Sequence, residues 1–127
     1  MSMATHTIDQ VRQPAEAGLH HALALNAAGS IQVLRVTRKV QGSNEHLMFA
    51  GVPTSPSSKT RGLEVTFVTG VAPAPKLDPV SGVISMYYSI SERAEVERLL
   101  NSDRKRFCYF WRSADGERRH AWLLTSP

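Results

Sequence analysis

The chain has 127 residues, of which 42% are hydrophobic, 20% charged and 7% aromatic, and its formal net charge is +4 at pH 7. This length suits a single domain, and the apolar fraction is too high for a chain that is disordered throughout. Residues 17–34 are the longest stretch without Asp, Glu, Lys or Arg, but they include two histidines, an asparagine and a glutamine, which are costly in a membrane core. We therefore expect one domain with no membrane span.

The beginning of the chain carries few structural signals. Residues 1–18 mix small and polar side chains, which predicts a flexible leader followed by a β-rich domain at 19–127. No basic segment followed by an apolar one is present, so we expect no secretion signal. Residues 14–27 are compatible with a helix that opens at Pro14 or with a strand at His20–Leu25, and the strand is slightly favoured.

Alternating apolar and polar side chains predict four strands in the middle of the chain: Ile31–Val40, His46–Val52, Leu63–Thr69 and Val83–Ile90. In the first strand, Leu34, Val36 and Val40 are expected to face the core. In the fourth, the expected core residues are Ile84, Met86, Tyr88 and Ile90. Two Pro-rich loops, 53–62 and 71–82, flank the third strand, and their sequences indicate no role.

The periodicity then changes to that of a helix. Ser91 can cap a helix that starts at Glu92, and residues 101–103 end it. The expected buried residues, Val96, Leu99 and Leu100, form a narrow stripe, which predicts a helix that covers a sheet. Arg93 and Glu97 are spaced for an exposed ion pair.

A hairpin closes the chain, with strands Arg106–Ser113 and Arg118–Thr125 around the turn Asp115–Gly116. A two-residue loop places Arg112 opposite Arg119 and Trp111 opposite His120. One face then carries Phe107, Tyr109, Trp111, His120, Trp122 and Leu124. The other carries Cys108, Phe110, Ala121 and Leu123, with Arg106, Arg112 and Arg119 at its rim.

These elements together predict a mainly β (α+β) fold. The expected architecture is a small single-domain antiparallel barrel or sandwich of six or seven strands, with one helix before the C-terminal hairpin. Cys108 lies between Phe107 and Tyr109, so we expect a buried thiol, and a lone cysteine suits the reducing cytoplasm.

Function signals concentrate at the hairpin. Residues 104–119 hold six positively charged side chains and two acidic ones, so the net charge of this segment equals that of the whole chain, +4. The hairpin is apolar on both faces, so the aromatic residues are either all buried by the fold, or form a dimer interface, or stack on single-stranded nucleic acid beside the cations. The repulsion between Arg112 and Arg119 would be relieved by a carboxylate or phosphate between them.

We therefore predict a non-catalytic interaction module that self-associates through the hairpin. The expected binding residues are Tyr109, Trp111, Arg112, Arg119, His120 and Trp122. The alternatives are a module for single-stranded nucleic acid or another anionic ligand, and an enzyme whose active site forms at a subunit interface.

Catalytic and metal chemistry is not indicated by the sequence. There is no Gly-rich phosphate or dinucleotide motif and no His-x-x-x-His pair. A Cys108–His120 nucleophile pair is disfavoured because the predicted register puts the two residues on opposite faces. We predict no catalytic residue, no metal and no cofactor.

Overall fold

The computed structural model describes residues 10–12, 29–42 and 45–127. Within these ranges the chain is mainly β, with one α-helix before the C-terminal hairpin, so the predicted fold class is confirmed. The elements are β1 (Gln10–Arg12), β2 (Ser30–Gly42), β3 (His46–Pro53), β4 (Gly62–Val68), β5 (Lys76–Leu77), β6 (Val83–Ser89), α1 (Arg93–Leu100), β7 (Lys105–Arg112) and β8 (Arg119–Ser126).

Six predicted strands correspond to β2, β3, β4, β6, β7 and β8. Two short strands were not predicted: β1, which uses three residues of the expected leader, and β5, which lies in the second Pro-rich loop. The rest of the leader, and the choice between helix and strand at 14–27, lie outside the described residues.

The strands form one sheet in the order β1-β8-β7-β2-β3-β4-β6-β5, which curls into a half-barrel. All neighbours are antiparallel except β4 and β6, which are parallel. A parallel pair needs a crossover connection, and the second Pro-rich loop supplies it. The loop places β5 on the far side of β6, where it forms one edge of the sheet.

The main core lies on the face of the sheet that packs against α1, which we call the inner face. Val96, Leu99 and Leu100 of α1 are fully buried there, as predicted, together with Ile84 and Met86 of β6. The predicted ion pair is also present, with Arg93 Nε 3.3 Å from Glu97 Oε1. The helix therefore covers the curled sheet, as its narrow apolar stripe indicates.

The start of the helix differs from the prediction. Ser89, rather than Ser91, is the cap: its hydroxyl accepts from the Ser91 amide at 3.3 Å, and its own amide donates to Glu92 Oε1 at 3.1 Å. This capping box opens a 3-10 turn that runs directly into α1. Ile90 belongs to this turn and is 52% exposed, so its predicted place in the core is wrong.

Val40 is also wrongly predicted as a core residue, because it is 54% exposed. The pairing of β2 with β3 shifts between Val36 and Arg38 and again between Lys39 and Gln41. Each shift inserts one extra residue into β2, and Val40 is the second of them. A bulge interrupts the strict alternation on which the prediction depends. None of the helices in the described ranges is long and apolar enough to cross a membrane.

Candidate functional site

The register of the C-terminal hairpin is the predicted one. Arg112 pairs with Arg119, Trp111 with His120 and Tyr109 with Trp122. The loop, however, spans four residues, 114–117, because the Ser113 amide donates to the Arg118 carbonyl at 2.9 Å. Gly116 adopts φ 76°, a conformation that glycine tolerates best. Lengthening the loop by one residue on each side leaves every pair of the register unchanged.

Four of the six predicted binding residues lie on the face opposite to α1, which we call the outer face. Tyr109 stacks on Trp122 with ring centroids 5.3 Å apart, and Trp111 stacks on His120 at 5.6 Å. These neighbours face each other across β7 and β8, where aromatic pairs stabilise a sheet. Partial burial raises the pKa of Tyr109 by desolvation.

Trp111 is the most enclosed of these side chains. It is 1% exposed, and a Cβ atom on Gly29 would lie only 2.3 Å from its Nε1. The indole thus packs against the backbone of Gly29, just before β2, where any larger residue would displace it. Trp122 is 8% exposed. Both tryptophans are therefore largely buried within a single chain.

The outer face continues beyond the hairpin onto β2 and β3, an extension that was not predicted. Residues that pair directly in an antiparallel ladder share a face. Three rows of such residues run from β8 through β7 to β2: His120–Trp111–Ile31, Trp122–Tyr109–Val33 and Leu124–Phe107–Arg35, the last continuing to Val52 on β3.

Apart from His120, which is half-buried, the residues of these rows become more exposed toward β2 and β3. Trp111 and Leu124 are buried, whereas Ile31 at the β2 end is 49% exposed and Val52 on β3 is 48% exposed. Between them lie half-buried Val33, Phe107 and Tyr109 and the exposed Arg35. We call these six residues the outer patch: Ile31, Val33, Arg35, Val52, Phe107 and Tyr109. It is a continuous apolar surface with one cation.

The two predicted arginines lie on the inner face instead. Arg112 and Arg119 lie two residues beyond the core residues Phe110 and Ala121 and therefore share their face of the sheet. Arg119 Nε donates to the Pro75 carbonyl at 2.8 Å, so the guanidinium turns toward the second Pro-rich loop. The predicted register separates these residues in the same way, with the aromatic rings on one face and Arg112 and Arg119 on the other.

A sequence signal for the outer patch did exist. Ile31 and Val33 are apolar at the positions of β2 that alternate with core residues Leu34 and Val36, which indicates a strand with two apolar faces. Which strand would lie beside β2 could not be read from this pattern, because β7 is distant in the sequence.

The register also separates the one cysteine from the histidine of the hairpin. Cys108 and His120 lie on opposite faces of the hairpin, and burial raises the pKa of the Cys108 thiol. The described residues contain no group of three His, Cys, Asp or Glu side chains that could hold a metal ion.

No protein-family model, curated protein sequence or solved structure matches the chain. Its function must therefore be inferred from the geometry of its own residues.

Proposed function

We propose that the protein is a non-catalytic interaction module that self-associates through the outer patch. The observation that carries this proposal is the gradient of exposure along the three rows of the outer face. One end of the apolar surface is buried by the chain itself, and the other end remains open at Ile31 and Val52. Open apolar surface that continues a buried cluster is typical of an interaction site.

The composition of the outer patch supports a protein partner. Tyr, Phe and Arg are enriched at the centres of protein interfaces, and aliphatic residues fill the space around them. Both edges of the sheet are short strands, of three residues in β1 and two in β5. Short edges discourage edge-to-edge pairing, which favours contact between faces. A second copy of this chain is the simplest partner with a matching patch.

Single-stranded nucleic acid is the less favoured partner. Stacking of bases requires exposed rings beside cations. Trp111 and Trp122 are 1% and 8% exposed, and Arg112 and Arg119 lie on the other face. The proposal places the module in the cytoplasm, because its one cysteine, Cys108, is a buried free thiol of the kind that suits a reducing compartment.

The test is the oligomeric state, measured by sedimentation velocity from low to high micromolar concentration. Six patch residues are few beside the ~20–30 residues per side of a standard interface, so we expect a weak dimer with a dissociation constant on the order of micromolar. A chain that stays monomeric at ~200 µM contradicts the proposal.

The variants should alter the open end of the patch without disturbing the buried rings. Val52→Arg introduces a charge at a side chain that is 48% exposed, and we expect it to weaken the dimer at least tenfold while the fold is retained. Val71→Arg is the matched control, because Val71 is 95% exposed and lies outside the outer patch. Equal weakening by both variants would show that net charge, and not the patch, governs association.

A further inference from the structure

A cavity of about 430 Å³ opens at the end of the inner face, on the side of the sheet away from the outer patch. It lies between the end of the hairpin, the start of β2 and the segment around β5. Four cationic side chains line it: Lys59, Lys76, Arg112 and Arg119. Its apolar wall includes the half-buried Leu77 and the exposed Pro79, whereas the core residue Phe110 is only 3% exposed. This volume is within the range of small-molecule sites.

Three of the four cationic residues belong to segments that hydrogen bonds hold in place. The Lys59 amide donates to Gln32 Oε1 at 2.9 Å, which ties the first Pro-rich loop to β2. Arg119 Nε donates to the Pro75 carbonyl at 2.8 Å, which ties β8 to the residue before β5. Lys76 is fixed at the backbone by its pairing with Ser85. The walls of the cavity are therefore formed by anchored segments.

The charges in this cavity are unbalanced. Asp78 is the one acid among the described residues of the lining, and its Oδ1 accepts from the amides of Val80 at 2.8 Å and Ser81 at 3.3 Å. These backbone hydrogen bonds lower the pKa of Asp78 and commit its carboxylate to a turn. Among the described residues, none of the four cations forms an ion pair.

Such an arrangement favours a bound anion. Arg112 and Arg119 face each other directly across two strands, where like charges repel. An anion between them converts the repulsion into attraction, and guanidinium groups match carboxylate and phosphate oxygens with paired N–H donors. The apolar wall at Leu77 and Pro79 offers a surface that inorganic ions cannot use.

We propose that this cavity binds a small organic anion whose carboxylate or phosphate group is held by Arg112 and Arg119 and whose apolar body packs against Leu77 and Pro79. The cavity and the outer patch lie on opposite faces of the sheet. Ligand binding is therefore independent of self-association, and each proposal can fail without the other.

Calorimetric titration at low salt tests the class of ligand with four probes: phenyl phosphate, benzoate, inorganic phosphate and benzyl alcohol. We expect phenyl phosphate or benzoate to bind at least tenfold more tightly than inorganic phosphate, because only they combine the charge with an apolar ring. The stronger of the two identifies the headgroup. Benzyl alcohol, which lacks the charge, should show no binding. Equal binding of inorganic phosphate and both aromatic anions overturns the proposal, and so does the absence of any binding.

Variants locate the site. We expect Arg112→Gln to weaken binding of the preferred anion at least tenfold, since it removes charge-assisted hydrogen bonds. Arg118→Gln is the matched control, an exposed arginine on the same hairpin outside the lining. Lys76→Gln, at the opposite wall, should weaken binding several-fold, and it removes no contact that anchors the loop. If Arg118→Gln weakens binding as much as Arg112→Gln, the anion is attracted by net charge alone and the proposal is refuted.

Discussion

Leu99 on α1 provides the most direct test of the inner core. Its side chain is 0% exposed and lies in the same cluster as Val96 and Leu100. Leu99→Ala removes three carbon atoms, which costs about 2.4 kcal/mol at ~0.8 kcal/mol per buried CH₂. A residual cavity beneath the helix adds to this, so we expect the free energy of unfolding to fall by about 3–4 kcal/mol.

Urea denaturation measures this loss, and Cys108 offers a second assay. It is the one cysteine of the chain and is 0% exposed, so a thiol reagent can reach it only when the core opens. If labelling occurs through global unfolding, a loss of 3–4 kcal/mol accelerates it on the order of 10²–10³-fold, since each ~1.4 kcal/mol is a factor of ten.

The exposed Glu95 lies on the same helix, and Glu95→Gln should change the stability by no more than about 0.5 kcal/mol. A Leu99→Ala cost below about 1 kcal/mol would mean that α1 does not cover the inner face as described. Labelling of wild-type Cys108 at the rate of a free thiol would contradict the burial of the hairpin on that face.

Two further predictions concern local hydrogen bonds. Ser89→Ala should lower the free energy of unfolding, measured in urea, by about 1 kcal/mol because it removes the helix cap. Ser91→Ala, at an exposed position, should have little effect. A larger loss for Ser91→Ala than for Ser89→Ala would show that Ser91 is the cap. Hydrogen bonds from the Ser113 hydroxyl and, to a smaller extent, from the Glu117 amide lower the pKa of Asp115 below its ordinary value of 3.8. The stability that Asp115 contributes is therefore complete above pH 3.8 and is lost as the pH falls through the lowered pKa. The difference in melting temperature between wild type and Asp115→Asn should therefore shrink upon acidification. Asp103→Asn, which changes an exposed carboxylate outside the hairpin, is the control. A difference for Asp115→Asn that grows at low pH would contradict the lowered pKa.

Local patterns explain which features could be predicted. The hairpin register follows from one turn and a period of two, and it survives an error in loop length because Ala114 and Glu117 are added symmetrically. The buried stripe of α1 likewise follows from spacing alone. Val40 was misplaced because a bulge in β2 is a product of its pairing with β3, which a single strand does not reveal.

The candidate site depends on contacts between segments that are distant in the sequence. Ile31 meets the aromatic face because β2 pairs with β7. Lys59 and Arg112 line one cavity because the first Pro-rich loop is bonded to β2 at Gln32, beside β7. Neither pairing has a local sequence period. The prediction therefore placed Trp111 and Arg112 on opposite faces of the hairpin, but it could not show which distant segments share each face.

The central position of β2 has a consequence for how the chain folds. One of its neighbours, β3, follows almost at once, but the other, β7, lies far along the sequence. The Arg106 guanidinium of β7, for example, donates to the Thr37 carbonyl of β2 across a separation of 69 positions. The sheet can be completed only after this long loop closes, a topology associated with folding in milliseconds to seconds. Until β7 and β8 arrive, β2 remains an open edge with an uncovered apolar face, so chains interrupted before the hairpin should aggregate rather than remain partly folded.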